Sequence, residues 1–143
     1  MPSELKCIIY EARNLPIMEK SRNRTDAYCE LLFGKAAMGK TETVYNNLCP
    51  KWNQAIISFE IIDDEELLEK FIVIKVKDED VIDRDDVIGT VNIDLSSLLN
   101  LNSNKTLKCW FPIYDIQQGI RGELLVEVKL TFVRDESIAK TLV

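Results

Sequence analysis

The sequence predicts an all-β chain, an eight-stranded antiparallel β-sandwich. Three observations carry that reading. Eight short segments rich in β-branched and alternating apolar residues recur along the 143 residues. Turn-forming clusters such as "RNLP" and "NNLCP" separate them. No amphipathic segment is long enough to serve as the crossover helix that parallel strands require. A closed barrel is the alternative architecture.

In chain order, "LKCIIYEA" (5–12) alternates well enough for a first strand, with Leu5, Cys7 and Ile9 on one face. The polar loop "MEKSRNRTD" follows. "AYCELLF" (27–33) is a second strand, stopped by Gly34. "GKTETVY" (39–45) is a third and "QAIISFEI" (54–61) a fourth. "DDEELLEK" (63–70) reads as one short helical turn with acids at its start. "FIVIKV" (71–76) is the fifth strand, the acidic "DEDVIDRDD" a loop, and "VIGTVNI" (87–93) the sixth strand. "DLSSLLN" (94–100) is a short helix capped by Asp94 or Ser96. "LKCWFPI" (107–113) and "GELLVEVKLTFV" (122–133) complete the set. The domain is expected to occupy residues 1–133. Residues 134–143 form a polar tail or the start of a linker. Its last four residues, "KTLV", fit the pattern of C-terminal PDZ ligands, and the competing reading is a cut inside a longer protein.

Composition narrows the function. Hydrophobic residues make up 46% of the chain, enough for a core without metal or disulfide staples. The net charge of −6 runs against nucleic acid as a partner, and against an anionic membrane unless a local device intervenes. Histidine is absent, which removes Ser-His-Asp and Cys-His catalysis and His-metal sites; the expectation is no enzyme. Cys7, Cys29, Cys49 and Cys109 include no C-x-x-C pair. With no apolar run near ~18 residues and no signal-like opening, the expectation is a cytoplasmic chain with reduced thiols.

One motif points elsewhere. Gly34 to Thr41, "GKAAMGKT", matches the phosphate-binding pattern G-x-x-x-x-G-K-[ST]. That loop needs a helix N-terminus behind it. Here Thr43, Val44 and Tyr45 favour a strand, and Asn46, Asn47 and Pro50 break the chain soon after. A strand-to-strand hairpin with two glycines at its turn is the better reading, and no nucleotide is expected.

The stronger signal is acidic. Glu19 and Asp26 flank the first loop. Asp78, Glu79, Asp80, Asp83, Asp85 and Asp86 crowd the loop between strands five and six. Two unit charges about 4 Å apart near a protein surface repel by roughly 4 kcal/mol, so something must offset this cluster. Calcium is suited: it takes about six to eight oxygen ligands in irregular geometry, where magnesium demands a strict octahedron. The competing reading is a solvated loop balanced by Arg84, Lys75 and Lys77. Val81 and Ile82 stand between the acids, either exposed for membrane insertion or folded back on the sandwich. Lys20, Arg22 and Arg24 in loop one either meet anionic lipid or neutralise the acids internally.

These residues resemble a C2 domain. "ARNLPIMEKSRNRTDAYCEL" is similar to its first calcium loop and second strand. "LCPKWNQAIISF" is similar to its Asn-Pro-x-Trp-Asn segment, with Cys49 where asparagine is usual. "IVIKVKDEDVIDRDDVIGTVNIDL" resembles its third loop, including the glycine after the last aspartate. The closing "WFPIYDIQQGIRGELLVEV" resembles its last strands, and within C2 domains the resemblance is to the N-terminal domain of the C2 domain-containing protein 5 family. It implies type II topology, since the chain enters at the strand leading into loop one. It implies calcium-dependent phospholipid binding in membrane trafficking, within a larger protein. It implies metal ligands at Glu19, Asp26, Asp78, Asp80 and Asp86, for one or two Ca²⁺ ions. Glu19 departs from the usual aspartate, which bears on the second ion. The expected partner is an anionic phospholipid membrane, met peripherally through Val81, Ile82, Arg22 and Arg24, alongside protein partners. The alternative is a calcium-independent scaffold for proteins.

Overall fold

The computed structural model describes residues 3–57, 61–62, 65, 69–96 and 105–132. Among these the strands are β1 (Ser3–Arg13), β2 (Ala27–Phe33), β3 (Ala36–Lys40), β4 (Lys51–Ile57), β5 (Ile61–Ile62), β6 (Phe71–Asp78), β7 (Asp86–Asp94), β8 (Lys105–Asp115) and β9 (Gly119–Phe132). All described pairings are antiparallel, in the order β3-β2-β6-β7-β8-β9-β1-β4. A single pair, Thr90 with Tyr114, joins β7 to β8. The sheet is therefore two four-stranded layers hinged along one seam, a nearly closed sandwich. The short β5 continues the edge that β4 forms along β1, pairing Ile61 with Glu4 and Ile62 with Ser3, so the two together are the fourth predicted strand.

Alternation builds the core. Leu5, Cys7 and Ile9 of β1, Ile72, Ile74 and Val76 of β6, and Leu124, Val126, Val128 and Leu130 of β9 are all fully buried. Burying each such side chain stabilises by roughly 1.5–3 kcal/mol. In β1 the parity changes after Ile9. Ile9 faces Val126 and Glu11 faces Leu125, leaving Tyr10 as a bulge. The extra residue turns Ala12 inward, 1% exposed, where strict alternation from Leu5 would turn it out.

The third strand departs from expectation. Gly34 and Lys35 form a two-residue loop between the paired Phe33 and Ala36, with Gly34 at φ +61°. Glycine first in such a loop is the pattern that matches strand twist. Pairing therefore resumes at Ala36 and ends at Lys40, earlier than predicted; Val44 makes a separate bridge to Ala27. The second glycine, Gly39, lies inside β3 and not at the turn. No helix follows Lys40, and the Thr41 hydroxyl accepts the Cys29 amide at 2.9 Å. The phosphate-loop motif is a hairpin.

Most of the two expected helical turns lies outside the described residues. Within them, Asp94 is the cap: its Oδ1 accepts the Ser96 amide at 2.9 Å. The expected tail, 134–143, is also outside.

β1 and β9 run the length of the molecule. Ser3 pairs with Phe132 at one end and Arg13 with Glu123 at the other. The chain thus enters and β9 finishes at the end opposite the first loop, which is type II topology.

Candidate metal centre and apolar loop tip

Loop one is held from inside by Thr25, which is fully buried. Its hydroxyl donates to the Pro16 carbonyl at 2.6 Å and accepts the Met18 amide at 2.9 Å. A reciprocal backbone pair between Glu19 and Arg24, 3.0 and 3.1 Å, closes the loop into a small hairpin. Trp52 of the proline-tryptophan segment donates its indole N–H to the Ala27 carbonyl at 3.2 Å, tying β4 to the base of the loop. Glu19 and Asp26 are thereby fixed at either side of a short rigid arch.

Loop three leaves β6 at Asp78, which pairs with Ala27 of β2 and with Asp86 of β7. The two loops are latched together. The Asp26 amide donates to Asp78 Oδ1 at 2.8 Å, and the Glu79 amide donates to the Asp26 carbonyl at 2.8 Å. Both Asp26 and Asp78 are only 7% exposed. Burial raises the Asp78 carboxyl above its ordinary pKa. The negative charges of Asp26, Asp86 and Glu19 raise it further, and the Asp26 amide opposes them. The charges of three other expected ligands are thus felt at Asp78.

A cation already sits there. Arg24 donates from Nε (3.0 Å) and Nη2 (2.9 Å) to Asp26 Oδ1, which also accepts the Asn46 amide at 2.8 Å. The bond to Asp26 raises the Arg24 pKa, with Glu19 and Asp78 adding to it. Arg22 pairs with Glu19 at 3.1 Å in the open, a contact of little energetic weight.

The fifth residue, Asp80, is engaged differently. Its Oδ1 accepts the amides of Ile82 (2.9 Å) and Asp83 (3.2 Å), and its own amide donates to Asp85 Oδ1 at 2.8 Å. It shapes the tip of loop three. Among the described residues no three acidic or cysteine side chains stand close enough to hold an ion as arranged here. The donor set is nonetheless all oxygen, anionic and partly buried, and it fits calcium chemically; Arg24 competes with an ion for Asp26 Oδ1.

Val81 and Ile82 are 90% and 91% exposed at that tip. The folded-back alternative is thus excluded for both.

Some contributors were not visible in the spacing. Tyr28 of β2 donates its hydroxyl to Asp85 Oδ2, and this bond, with the Asp80 amide, lowers the Asp85 pKa. Tyr45 donates to Glu79 at 3.2 Å. Thr25 and the Asn46 amide organise loop one. Asp85 and Glu79 had a signal, their place in the acidic run; the tyrosines that bind them stand 57 and 34 residues away in sequence.

The C2 domain family model matches residues 3–113. "C2 domain-containing protein 5" of Xenopus tropicalis is 40% identical over 135 residues, 94% of this chain and 13% of the relative. The Homo sapiens protein of that name matches equally, with the same coverage. "Multiple C2 domain and transmembrane region protein 6" of Arabidopsis thaliana is 32% identical over 134 residues, 90% of this chain and 12% of the relative. The chain spans about 13% of the length of the first of these relatives. Among solved structures, human GIVD cytosolic phospholipase A2 superposes with a TM-score of 0.74 at 25% identity, over 94% of this chain and 18% of the enzyme. The calcium-bound pair of C2 domains of Extended-Synaptotagmin 2 gives 0.71 at 22% identity, over 90% of this chain and 45% of that one, a likeness of fold. With the sandwich, the loop arrangement and a family match over most of its length, the chain belongs to the C2 domain family.

Proposed function

We propose that this chain is a calcium-dependent phospholipid-binding module, acting in membrane trafficking as part of a larger cytoplasmic protein that meets membranes peripherally. The observation that carries the reading is the latch between the two acidic loops, with the Asp26 amide on Asp78 Oδ1 at 2.8 Å and Asp86 paired with Asp78 across β6 and β7, in a loop whose tip projects two apolar residues. Among the described residues no helix is long and apolar enough to cross a membrane.

Asp26, Asp78, Asp80 and Asp86 would hold one ion, and Glu19, one methylene longer than aspartate, sets whether a second is held. Bound calcium supplies positive charge that offsets the carboxylates and a coordination position for a lipid phosphate oxygen. Arg24, released from Asp26, and Arg22 then face the headgroups, each worth about 1 kcal/mol near an anionic surface. Val81 and Ile82 enter the acyl boundary at about 0.8 kcal/mol per buried CH₂, a few kcal/mol together. Neither nucleotide nor nucleic acid has a place in this scheme.

Sedimentation with phosphatidylserine-containing vesicles tests it. Binding is expected only with calcium and anionic lipid together, and Asp78→Asn with Asp80→Asn should abolish the calcium dependence. Equal binding with and without calcium, or none in either, rejects the reading.

One observation favours a second reading, a calcium-independent scaffold for protein partners. Arg24 and Arg22 already pair with Asp26 and Glu19, so the acids of loop one are balanced without metal. In that case calorimetric titration with millimolar calcium should give no binding heat.

A further inference from the structure

We propose that the β8–β9 hairpin is a second membrane-contacting tip, so that the domain docks on a bilayer through two separate apolar points. This rests on the membrane reading above and adds a surface to it. Ile116 at the tip is 87% exposed; Ile120 and Tyr114 on its two arms are 61% and 52% exposed. None of the three belongs to the acidic loops.

The hairpin is built to present them. Asp115 pairs with Gly119 across the turn. Its Oδ2 accepts the amides of Gln117 (3.1 Å) and Gln118 (2.9 Å), and Gly119 supplies the positive φ of +78°. The turn is thus ordered before any contact, and little conformational entropy remains to be lost on docking. The Asp115 carboxylate is occupied by the turn, and Gln117 and Gln118 are uncharged.

The hairpin also faces the right way. Tyr114 is level with Thr90 of β7, and antiparallel β8 runs on from there toward the start of β7, the end where loop three opens. Arg121 of β9 donates to the Ile88 carbonyl at 3.4 Å, tying the hairpin to β7. The hairpin and loop three are therefore adjacent connections, one on each side of the β7–β8 seam. Ile17, Tyr45, Leu48 and Val87 are exposed at this same end. Two convex tips suit a continuous apolar phase; a bound peptide needs a groove or a free strand edge.

The test uses phosphatidylserine/phosphatidylcholine vesicles in saturating calcium. Ile116→Ser with Ile120→Ser should weaken partitioning at least about tenfold, with lipid-free calcium affinity and melting temperature unchanged. Ile116→Trp should gain fluorescence quenching by brominated phospholipid over the wild type. Unchanged partitioning or no added quenching, while Val81→Ser with Ile82→Ser does weaken binding, rejects the second tip and leaves the membrane reading standing. Failure of the wild type to bind vesicles rejects both. A calcium-free dimer dissociated by Ile116→Ser would assign the tip to self-association and overturn the proposal.

Discussion

Asp78 is the residue on which the first loop, the third loop and the seam of acids meet. It is buried, it accepts the Asp26 amide, and three other carboxylates act on it. Because the folded carboxyl binds its proton more tightly than the unfolded one, its ionisation lowers stability above the raised pKa. That penalty is relieved as pH falls through the raised value toward the ordinary 3.8. Asp78→Asn keeps an acceptor for the Asp26 amide and removes the charge. It should raise the melting temperature of the calcium-free protein by a few degrees at pH 7, with the advantage shrinking in that acid window. A lower melting temperature at pH 7 would show that the amide bond outweighs the repulsion. Arg24 gives the complementary prediction. Its guanidinium competes with a metal for Asp26 Oδ1, so Arg24→Ala should tighten lipid-free calcium affinity by several-fold. Calorimetry reads this directly, and unchanged or weaker affinity would remove Arg24 as a competitor.

At the scale of strands, the alternating segments were readable because one face is buried throughout: "AYCELLF" is β2 residue for residue, and the face of Leu5, Cys7 and Ile9 is the core face. The shifts came where local geometry overrides alternation. The tight Gly34-Lys35 turn moved β3 forward, and the Tyr10 bulge brought Ala12 inward; neither has a periodic signature. The β7–β8 seam depends on a single glycine. A Cβ on Gly89 would lie 2.7 Å from Ile113 Cγ2 and 3.0 Å from the Tyr114 carbonyl oxygen. Contact with buried Ile113 and backbone leaves little room to adjust, so Gly89→Ala should push β8 from β7 and destabilise by about 1–3 kcal/mol. The midpoint of denaturant unfolding measures it; no change would mean the seam yields without loss.

Over the whole molecule, one end concentrates the chemistry: both acidic loops and two apolar tips open there, while Ser3 and Phe132 pair at the far end. The acid-rich segments and the apolar pair Val81-Ile82 were legible as composition. Their relation was not, because it is made by long-range contacts such as Asp26 with Asp78 and Tyr28 with Asp85; the neighbouring Arg24–Asp26 pair was legible as one of two alternatives. With a net charge of −6, the membrane reading needs a local change of charge at the loop end before docking on an anionic bilayer. A ligand that binds only the folded state stabilises it by about 2.7 kcal/mol at a hundredfold excess over its dissociation constant. For a chain of this size that corresponds to a rise of roughly 8–10 °C in melting temperature. Calcium at such an excess should give that rise in the wild type and none in Asp78→Asn with Asp80→Asn. Magnesium at equal concentration should give much less, because loops that offer carboxylates at irregular angles suit the larger ion. A flat wild-type response to calcium would instead favour the scaffold reading, in which Arg24 and Arg22 are the permanent partners of the loop-one acids.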